Sequence, residues 1–466
     1  MYTEKDLVEI ITQVKKDYFE LEDNANEEQV QNHLIVPLLK KLGYKHHNWF
    51  HYQSRKMKGK LIFDIDIYPP DAPTKRIVVE VKKKGLQITT KEILQASTYV
   101  NSQARVNYII ICNGEDYYLL DNSIQGELEQ RVMLKLNIFE EKDLAFFKFL
   151  SYESIFENGI TKYLTDLAQY KVFFLEENKQ SSWETYYGTL SNFFLFMANS
   201  EVYYPLDRIR VEDFQAFLNN KGINEKSIVT QVNNYNHING LYEAYKVRGL
   251  LKTNPFEYIV NKLKAKVKKE INEPLQDFEI EMIINSLKET HYPERNILLF
   301  HMLLYTGMSR GCIQNLRIDN IDLEHKKILI NGKKYLTINE VLRQNFEQYF
   351  GWINRKEIKT DYLFPSNYGK CKGNNLASGS FNSILNSCLK RTEISVERQK
   401  IITLKFIRES VVRRMYMAGI SIEEIVYVTG LTLSSVGKYI SNKKMIERAR
   451  PENIIKNNPF KDLIWN

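Results

Sequence analysis

Leu61-Ile62-Phe63-Asp64-Ile65-Asp66-Ile67-Tyr68 and Ile77-Val78-Val79-Glu80-Val81-Lys82 are the two stretches that decide how the first third of this chain folds. Both alternate, and side chains two apart on a strand share a face. Asp64 therefore travels with Asp66, and Glu80 with Lys82. Charges set among Ile and Val are costly unless they pair or hold a cation. The two strands thus expect a small α/β domain with an acidic, cation-binding edge.

Around them, helical spacing covers Glu4–Glu22 and Glu27–Leu42, with Gly43 as the stop. Strands are expected near 61–68, 77–82, 107–112 and 117–120, with a helix over about 89–101. Asn113-Gly114 reads as a hairpin turn. From about 155 to 260 strand signals vanish. Ser182–Asn199, Arg210–Asn220 and Lys226–Arg248 carry helical periodicity, and Asn254-Pro255 closes the last, which expects a four- or five-helix bundle. Lys262-Leu263-Lys264-Ala265-Lys266-Val267-Lys268-Lys269 follows. It suits either a linker lying along phosphates or a solvated helix end. Residues 274–466 read as helical again, interrupted by a hairpin at Lys327–Ile330 and Lys333–Ile338 around Asn331-Gly332.

At 466 residues the chain exceeds one ordinary core. With 43% hydrophobic and 26% charged residues it is globular. The fold class expected is multidomain α/β plus mainly α. It divides into 1–150, a helical domain at 155–262, a basic linker at 262–271 and a third domain at 272–466. No apolar run reaches the roughly 20 residues of a membrane helix, and Met1–Asp6 is unlike a secretory signal. Cys112, Cys312, Cys371 and Cys388 match no zinc spacing. A reduced, cytoplasmic and nucleoid-associated setting is expected. The net charge of +8 permits nucleic-acid binding without requiring it.

Hydrolysing a phosphodiester needs a Lewis acid, an activated water and relief of developing negative charge. Asp64 and Glu80, with Asp66 as a further candidate, are expected to hold Mg²⁺ or Mn²⁺, hard ions that favour carboxylate oxygens. Lys82 is expected to orient water or stabilise the transition state. This set resembles the PD-(D/E)xK nucleases, and more closely the N-terminal nuclease domain of type I restriction motor subunits. The likeness rests on Glu27-Glu28-Gln29-Val30, Ile35-Val36-Pro37-Leu38-Leu39, Leu42-Gly43-Tyr44, Asp64–Tyr68, Glu80-Val81-Lys82 and Gln95-Ala96-Ser97-Thr98-Tyr99. It spans about residues 20–122 and implies Glu27, Asp64, Glu80, Lys82 and Gln95 as catalytic residues. No G-x-x-x-x-G-K-[ST] loop follows, so a complete restriction motor is not expected of this chain.

The remaining layout, a bundle, a lysine-rich linker and a helical domain with one hairpin, resembles a tyrosine recombinase of the phage integrase family over roughly 160–445. The matching stretches are Trp183–Met197, Ile228–Asn254, Tyr305-Thr306-Gly307-Met308, Leu316–Asp322 and Gly419–Gly430. The resemblance implies a clamp around duplex DNA and transesterification by a tyrosine, with arginines and a lysine stabilising charge. Arg310 stands one place late after Thr306-Gly307. Cys312 or Ile313 occupies the acidic position, and Lys333 or Lys334 matches the hairpin lysine. Lys405-Phe406-Ile407-Arg408 has lysine for histidine, Gly430-Leu431 has leucine for histidine, and Tyr439 falls one residue early. A one-residue slip turns a helical side chain by about 100°, so recombinase chemistry is expected to be impaired. Tyr439 also reads as the end of a helix-turn-helix, where it contacts phosphate or groove.

Lys264, Lys266, Lys268, Lys269, Arg413 and Lys438 are expected on phosphates. Double-stranded DNA is the expected partner, with further copies of the same chain on it and no membrane. Three functions stay open: a Mg²⁺-dependent nuclease domain on a recombinase-like DNA-binding body, an active site-specific recombinase of a phage or mobile element, and a non-enzymatic repressor on a recombinase scaffold.

Overall fold

The computed structural model describes residues 2–45, 49–51, 64–67, 69, 76–101, 106–177, 180–266, 272–330, 334–366, 372–440 and 445–446. They form two compact units, Met1–Lys269 and Glu270–Asn466.

In the first unit, α1 (Glu4–Glu20) starts at a Thr3–Asp6 capping box and buries Leu7, Ile11, Val14 and Tyr18 along one stripe. The expected second helix is a rod in three parts: α2 (Glu27–Val30), a π turn at Gln31–Ile35, and α3 (Val36–Lys41). Pro37 lies in the first turn of α3 and cannot donate back along the rod, and the wider turn sits where that bond is missing. Lys84 donates to the carbonyls of Tyr18 and Leu21 at 2.9 and 2.6 Å, closing the C-terminus of α1 onto the sheet.

The sheet holds six strands in sequential order: β1 (Trp49–His51), β2 (Ile65–Ile67), β3 (Ile77–Val81), β4 (Tyr108–Cys112), β5 (Asp116–Asp121) and β6 (Val132–Asn137). Neighbours are antiparallel except β3 and β4, which run parallel because α4 (Thr90–Asn101) carries the chain across. Ile65, Ile67, Ile77, Val79 and Val81 point into the larger core. Val78, Ile109 and Ile111 point the other way, toward Ile93 and Ala96 of α4. Strand parity places Asp66, Glu80 and Lys82 on that α4 face.

Five helices follow: α5 (Lys162–Glu177), α6 (Gln180–Met197), α7 (Val211–Asn220), α8 (Ile228–Val247) and α9 (Phe256–Lys266). The expected break at 150–155 falls inside the first unit. Phe147, Phe149, Ile155 and Ile160 pack in one core with both Leu119 of the sheet and Phe193, Phe214 and Tyr242 of the helices. The run of aromatic side chains bridging 146–156 removes the solvent gap that a domain boundary needs.

The second unit comprises α10 (Asp277–Lys288), α11 (Pro293–Thr306), α12 (Arg310–Gln314), α13 (Glu340–Arg355), α14 (Ser378–Leu389), α15 (Val396–Ile401), α16 (Leu404–Met417), α17 (Ile422–Thr429) and α18 (Leu433–Tyr439). A three-stranded sheet, β7 (Ile321–Asp322), β8 (Lys327–Ile330) and β9 (Lys334–Thr337), joins them. Its core centres on Leu298, Met302, Phe346, Tyr349, Phe364 and Ile407. The turn Asn331-Gly332 lies outside the described residues. Among those residues no helix is long and apolar enough to cross a membrane.

Candidate functional sites

The antiparallel register pairs Ile65 with Val79 and Asp66 with Val78, which continues to set Asp64 opposite Glu80. The Val81 N–H donates to Asp64 Oδ2 at 2.7 Å. Lys82 Nζ donates to Glu80 Oε1 at 2.7 Å and to Gln95 Oε1 of α4 at 3.3 Å, and lies 4.0 Å from Glu27 Oε1 at the start of α2. The parallel crossover thus brings α4 over the strand ends, and α2 closes the same edge. Glu27, Asp64, Glu80, Lys82 and Gln95 converge, as expected from the sequence.

Their electrostatics are those of a crowded acidic site. Burial pushes the Glu80 carboxyl up to about 7, Asp64 adds to the rise, and the Lys82 hydrogen bond opposes it. Burial raises Asp64 to about 6, with the Val81 N–H opposing and the Glu27 charge adding. Burial works against the Lys82 ammonium, but the hydrogen bond and charge of Glu80 outweigh it and hold its pKa above the ordinary lysine value. Two carboxylates resisting ionisation beside an oxygen-only donor set fit a hard divalent cation that keeps several of its waters. No group of three His, Cys, Asp or Glu side chains placed to hold a metal occurs among the described residues.

Asp66 does not join this set. Its carboxylate, 4% exposed, is taken by the Arg76 guanidinium, whose Nε donates at 2.6 Å and whose Nη2 also donates. Arg76 precedes β3 on the strand diagonal from Asp66, within cross-strand reach. The expected ligand is instead half of a buried ion pair, and Arg76 was invisible until the register was known.

In the second unit, Arg310, Lys405, Arg408 and Tyr439 line one cavity of about 600 Å³. Ser309 is the N-cap of α12, its Oγ accepting from the Cys312 N–H at 3.2 Å, so Arg310 becomes the first helical residue and faces the cavity despite its displaced position. Arg408 is fixed by the Gly307 and Thr429 carbonyls, each at 2.7 Å. Gly307 adopts φ +57, and a Cβ there would meet Thr429 at 3.0 Å, so the turn before Arg310 requires glycine. Burial lowers the Arg408 pKa from its ordinary value. Tyr439 is raised by burial and by the Glu409 charge, with Arg408 opposing, which keeps its hydroxyl protonated. Asn382 and Asn386, four apart on α14, also line the cavity. No sequence motif marked them.

Other expectations separate. Lys334 Nζ sits 4.9 Å over the Tyr427 ring and is not among the cavity-lining residues; Lys333 lies outside the described residues. Tyr427 Oη accepts from the Tyr335 N–H at 3.2 Å and donates to its carbonyl at 3.1 Å, tying β9 to α17. Lys264 and Lys266 are exposed at the end of α9, whereas Lys268 and Lys269 lie outside the described residues. Lys438 is exposed. Arg413 does not reach the surface as expected: it is 7% exposed, donates to the Asn272 carbonyl and lies 3.7 Å from Glu409. It occupies the buried face of α16 and holds the irregular segment that enters this unit instead of presenting itself to phosphate. Of the cysteines, Cys112, Cys312 and Cys388 are unpaired.

Two family models match separate parts of the chain. Residues 26–133 match the family model of the Type I restriction enzyme R protein N terminus (HSDR_N), and residues 273–445 match that of the phage integrase family. Among solved structures, the chain is similar to the Tn1549 transposon integrase in complex with circular intermediate DNA, with 16% identity over 61% of this chain and 99% of that one, at TM-score 0.48. A lambda integrase dimer bound to a core site shares 14% over 61% and 95%, at TM-score 0.43. XerA recombinase shares 18% over 64% and 99%, at TM-score 0.32.

Proposed function

We propose that this chain is a DNA-processing protein: its N-terminal site cleaves phosphodiesters, and its helical bundle and integrase-family unit hold double-stranded DNA. The observation that carries the reading is the convergence of Glu27, Asp64, Glu80, Lys82 and Gln95 on one sheet edge. Asp64 and Glu80 would hold a Mg²⁺ or Mn²⁺ ion, which supplies Lewis-acid stabilisation of the phosphate and lowers the pKa of a bound water. Lys82 stays charged and offers an ammonium donor to a non-bridging phosphate oxygen. Gln95 and Glu80 fix that ammonium in place, and Glu27 bounds the site from α2. Exposed Lys264, Lys266 and Lys438 contribute phosphate contacts. Further copies of the chain share the same DNA, as the lambda integrase dimer does on its core site.

Plasmid nicking tests this. Wild-type protein with Mg²⁺ should nick supercoiled DNA, and Asp64→Ala and Lys82→Ala should abolish nicking while binding persists. Nicking that survives both substitutions overturns the assignment.

A second reading, transesterification by Tyr439, is favoured by the shared cavity of Arg310, Lys405, Arg408 and Tyr439. Against full activity stand the leucine at 431, a lysine in place of histidine at 405, and a tyrosine whose pKa is raised. A covalent adduct on a nicked suicide substrate, lost in Tyr439→Phe, would establish it. DNA binding without nicking or adduct would instead mark a repressor.

A further inference from the structure

The run Phe146-Phe147-Lys148-Phe149-Leu150 is buried throughout, lysine included, and Lys148 is 5% exposed. Burying an ammonium is costly unless it is paired. The other two buried lysines among the described residues of this unit obey that rule: Lys82 meets Glu80, and Lys84 meets two helix-end carbonyls and Asp23. Lys148 does not. Its ammonium donates to Asn199 Oδ1 at 3.1 Å, and among the described residues no carboxylate oxygen lies within 4.0 Å of it. One neutral amide satisfies one of three N–H donors. Burial lowers its pKa, and the charges of Glu201 and Glu153 oppose that shift only in part.

Lys148 and its partner Asn199 line a cavity of about 290 Å³ within the first unit, between the start of α1, the segment before α5, and the ends of α6 and α7. Its walls are mixed: Asn192, Asn199 and Asn220 contribute amides beside Leu7, Leu195 and Phe196, and one Asn192 N–H is already given to the Gly188 carbonyl. Exposed Glu4 and Lys221 also line it, and of the lining cations Lys148 is the buried one, with the charges of Glu201 and Glu153 acting on it from outside the lining. A cavity that holds a dehydrated cation among amides is complementary to a small oxyanion.

We infer that this cavity is a binding site for a phosphate group, with Lys148 as the charged donor and the asparagine amides as neutral ones. The site is separate from the sheet edge bearing Glu80 and does not depend on the function proposed above. The group arrives either as a free phosphate or mononucleotide, or as the terminal phosphate of a nucleic-acid strand. Both offer the same oxyanion chemistry.

Calorimetric melting of the full chain tests it, with inorganic phosphate as the probe and chloride at matched ionic strength as the control. The wild type should show a saturable rise in melting temperature with phosphate and none with chloride. Lys148→Met removes the charge while keeping the buried stem. It should melt at or above the wild type without phosphate, because the unpaired cation is gone, and should bind phosphate at least about tenfold more weakly. AMP and a 5′-phosphorylated oligonucleotide, each competed against its 5′-hydroxyl counterpart, separate the two sources, and preference for either supports the site. A wild type with no saturable response to phosphate, or a Lys148→Met protein that responds unchanged, overturns the inference. So does a Lys148→Met protein that melts lower without phosphate, since that result makes the lysine a structural element.

Discussion

Replacing Glu80 by glutamine should stabilise the first unit at pH 8 and change little at pH 4. The Glu80 carboxyl, ordinarily near 4.5, is pushed up to about 7 by burial and by Asp64. Its folded-state pKa lies above its unfolded one, so the folded protein binds more protons between those values. The associated stability is complete below about 4.5 and is lost as pH rises through about 7. At about 1.36 kcal/mol per pH unit the loss is about 3 kcal/mol over this rise from 4.5 to about 7. Glutamine escapes that loss, but Lys82 then keeps only a neutral acceptor in place of its 2.7 Å carboxylate partner. The net gain at pH 8 is therefore about 1–2 kcal/mol, or a rise of several degrees in the melting temperature for a unit of this size. The assay is calorimetric melting of wild type and Glu80→Gln from pH 4 to 8, without divalent ions. Adding Mg²⁺ at pH 8 should then close the gap, because a ligand that binds only the folded wild type stabilises it. A variant that is equally destabilised at every pH, or a wild type whose stability climbs between pH 5 and 8 through this pair, would refute the reasoning.

Arg398 clasps the buried Glu279 carboxylate at 2.7 and 3.0 Å, and Glu279 is 3% exposed. Arg398→Ala should cost the second unit about 3–5 kcal/mol, read by urea unfolding at pH 7. Because Arg398 and the Gln276 N–H overcome burial to hold Glu279 below its ordinary value, that pair's stabilisation should also fade as pH drops below the usual glutamate range. Arg413→Ala should lower the melting temperature of the second unit, whereas Lys438→Ala should leave melting unchanged and reduce the log-affinity slope against log salt by about 0.9 in DNA-binding titrations. Tyr427→Phe removes both hydrogen bonds to Tyr335, so the Tyr335 amide should exchange about tenfold faster.

The site on the first sheet was legible because strand parity and the Glu-x-Lys spacing are local properties. Glu27 and Gln95 came only through family likeness, and the crossover helix then carried Gln95 to Lys82. Asp66 was misjudged because its fate depends on Arg76, a pairing fixed by register and not by spacing. Arg413 was misjudged because charge alone does not say which face of α16 it occupies. The strands β1 and β6 went unanticipated: three residues carry no measurable period, and the alternation of Val132–Asn137 follows a polar loop that masks it. The continuous core across 146–160 was hidden for a different reason. Its aromatic residues read equally well as the end of one domain or the start of another, and only packing shows them serving both. Arg310 is displaced by one place on an ideal helix, yet a serine cap at 309 starts α12 there and Arg310 still lines the cavity.

The central claim is that Asp64 and Glu80 form a divalent-cation site beside Lys82. Titrating Mn²⁺ into the full chain at pH 8 and counting bound ions by electron paramagnetic resonance tests it most directly. The account predicts saturable binding that Asp64→Asn and Glu80→Gln each weaken by at least about tenfold. Mn²⁺ binding that is absent from the wild type, or that both variants retain at full affinity, would contradict it.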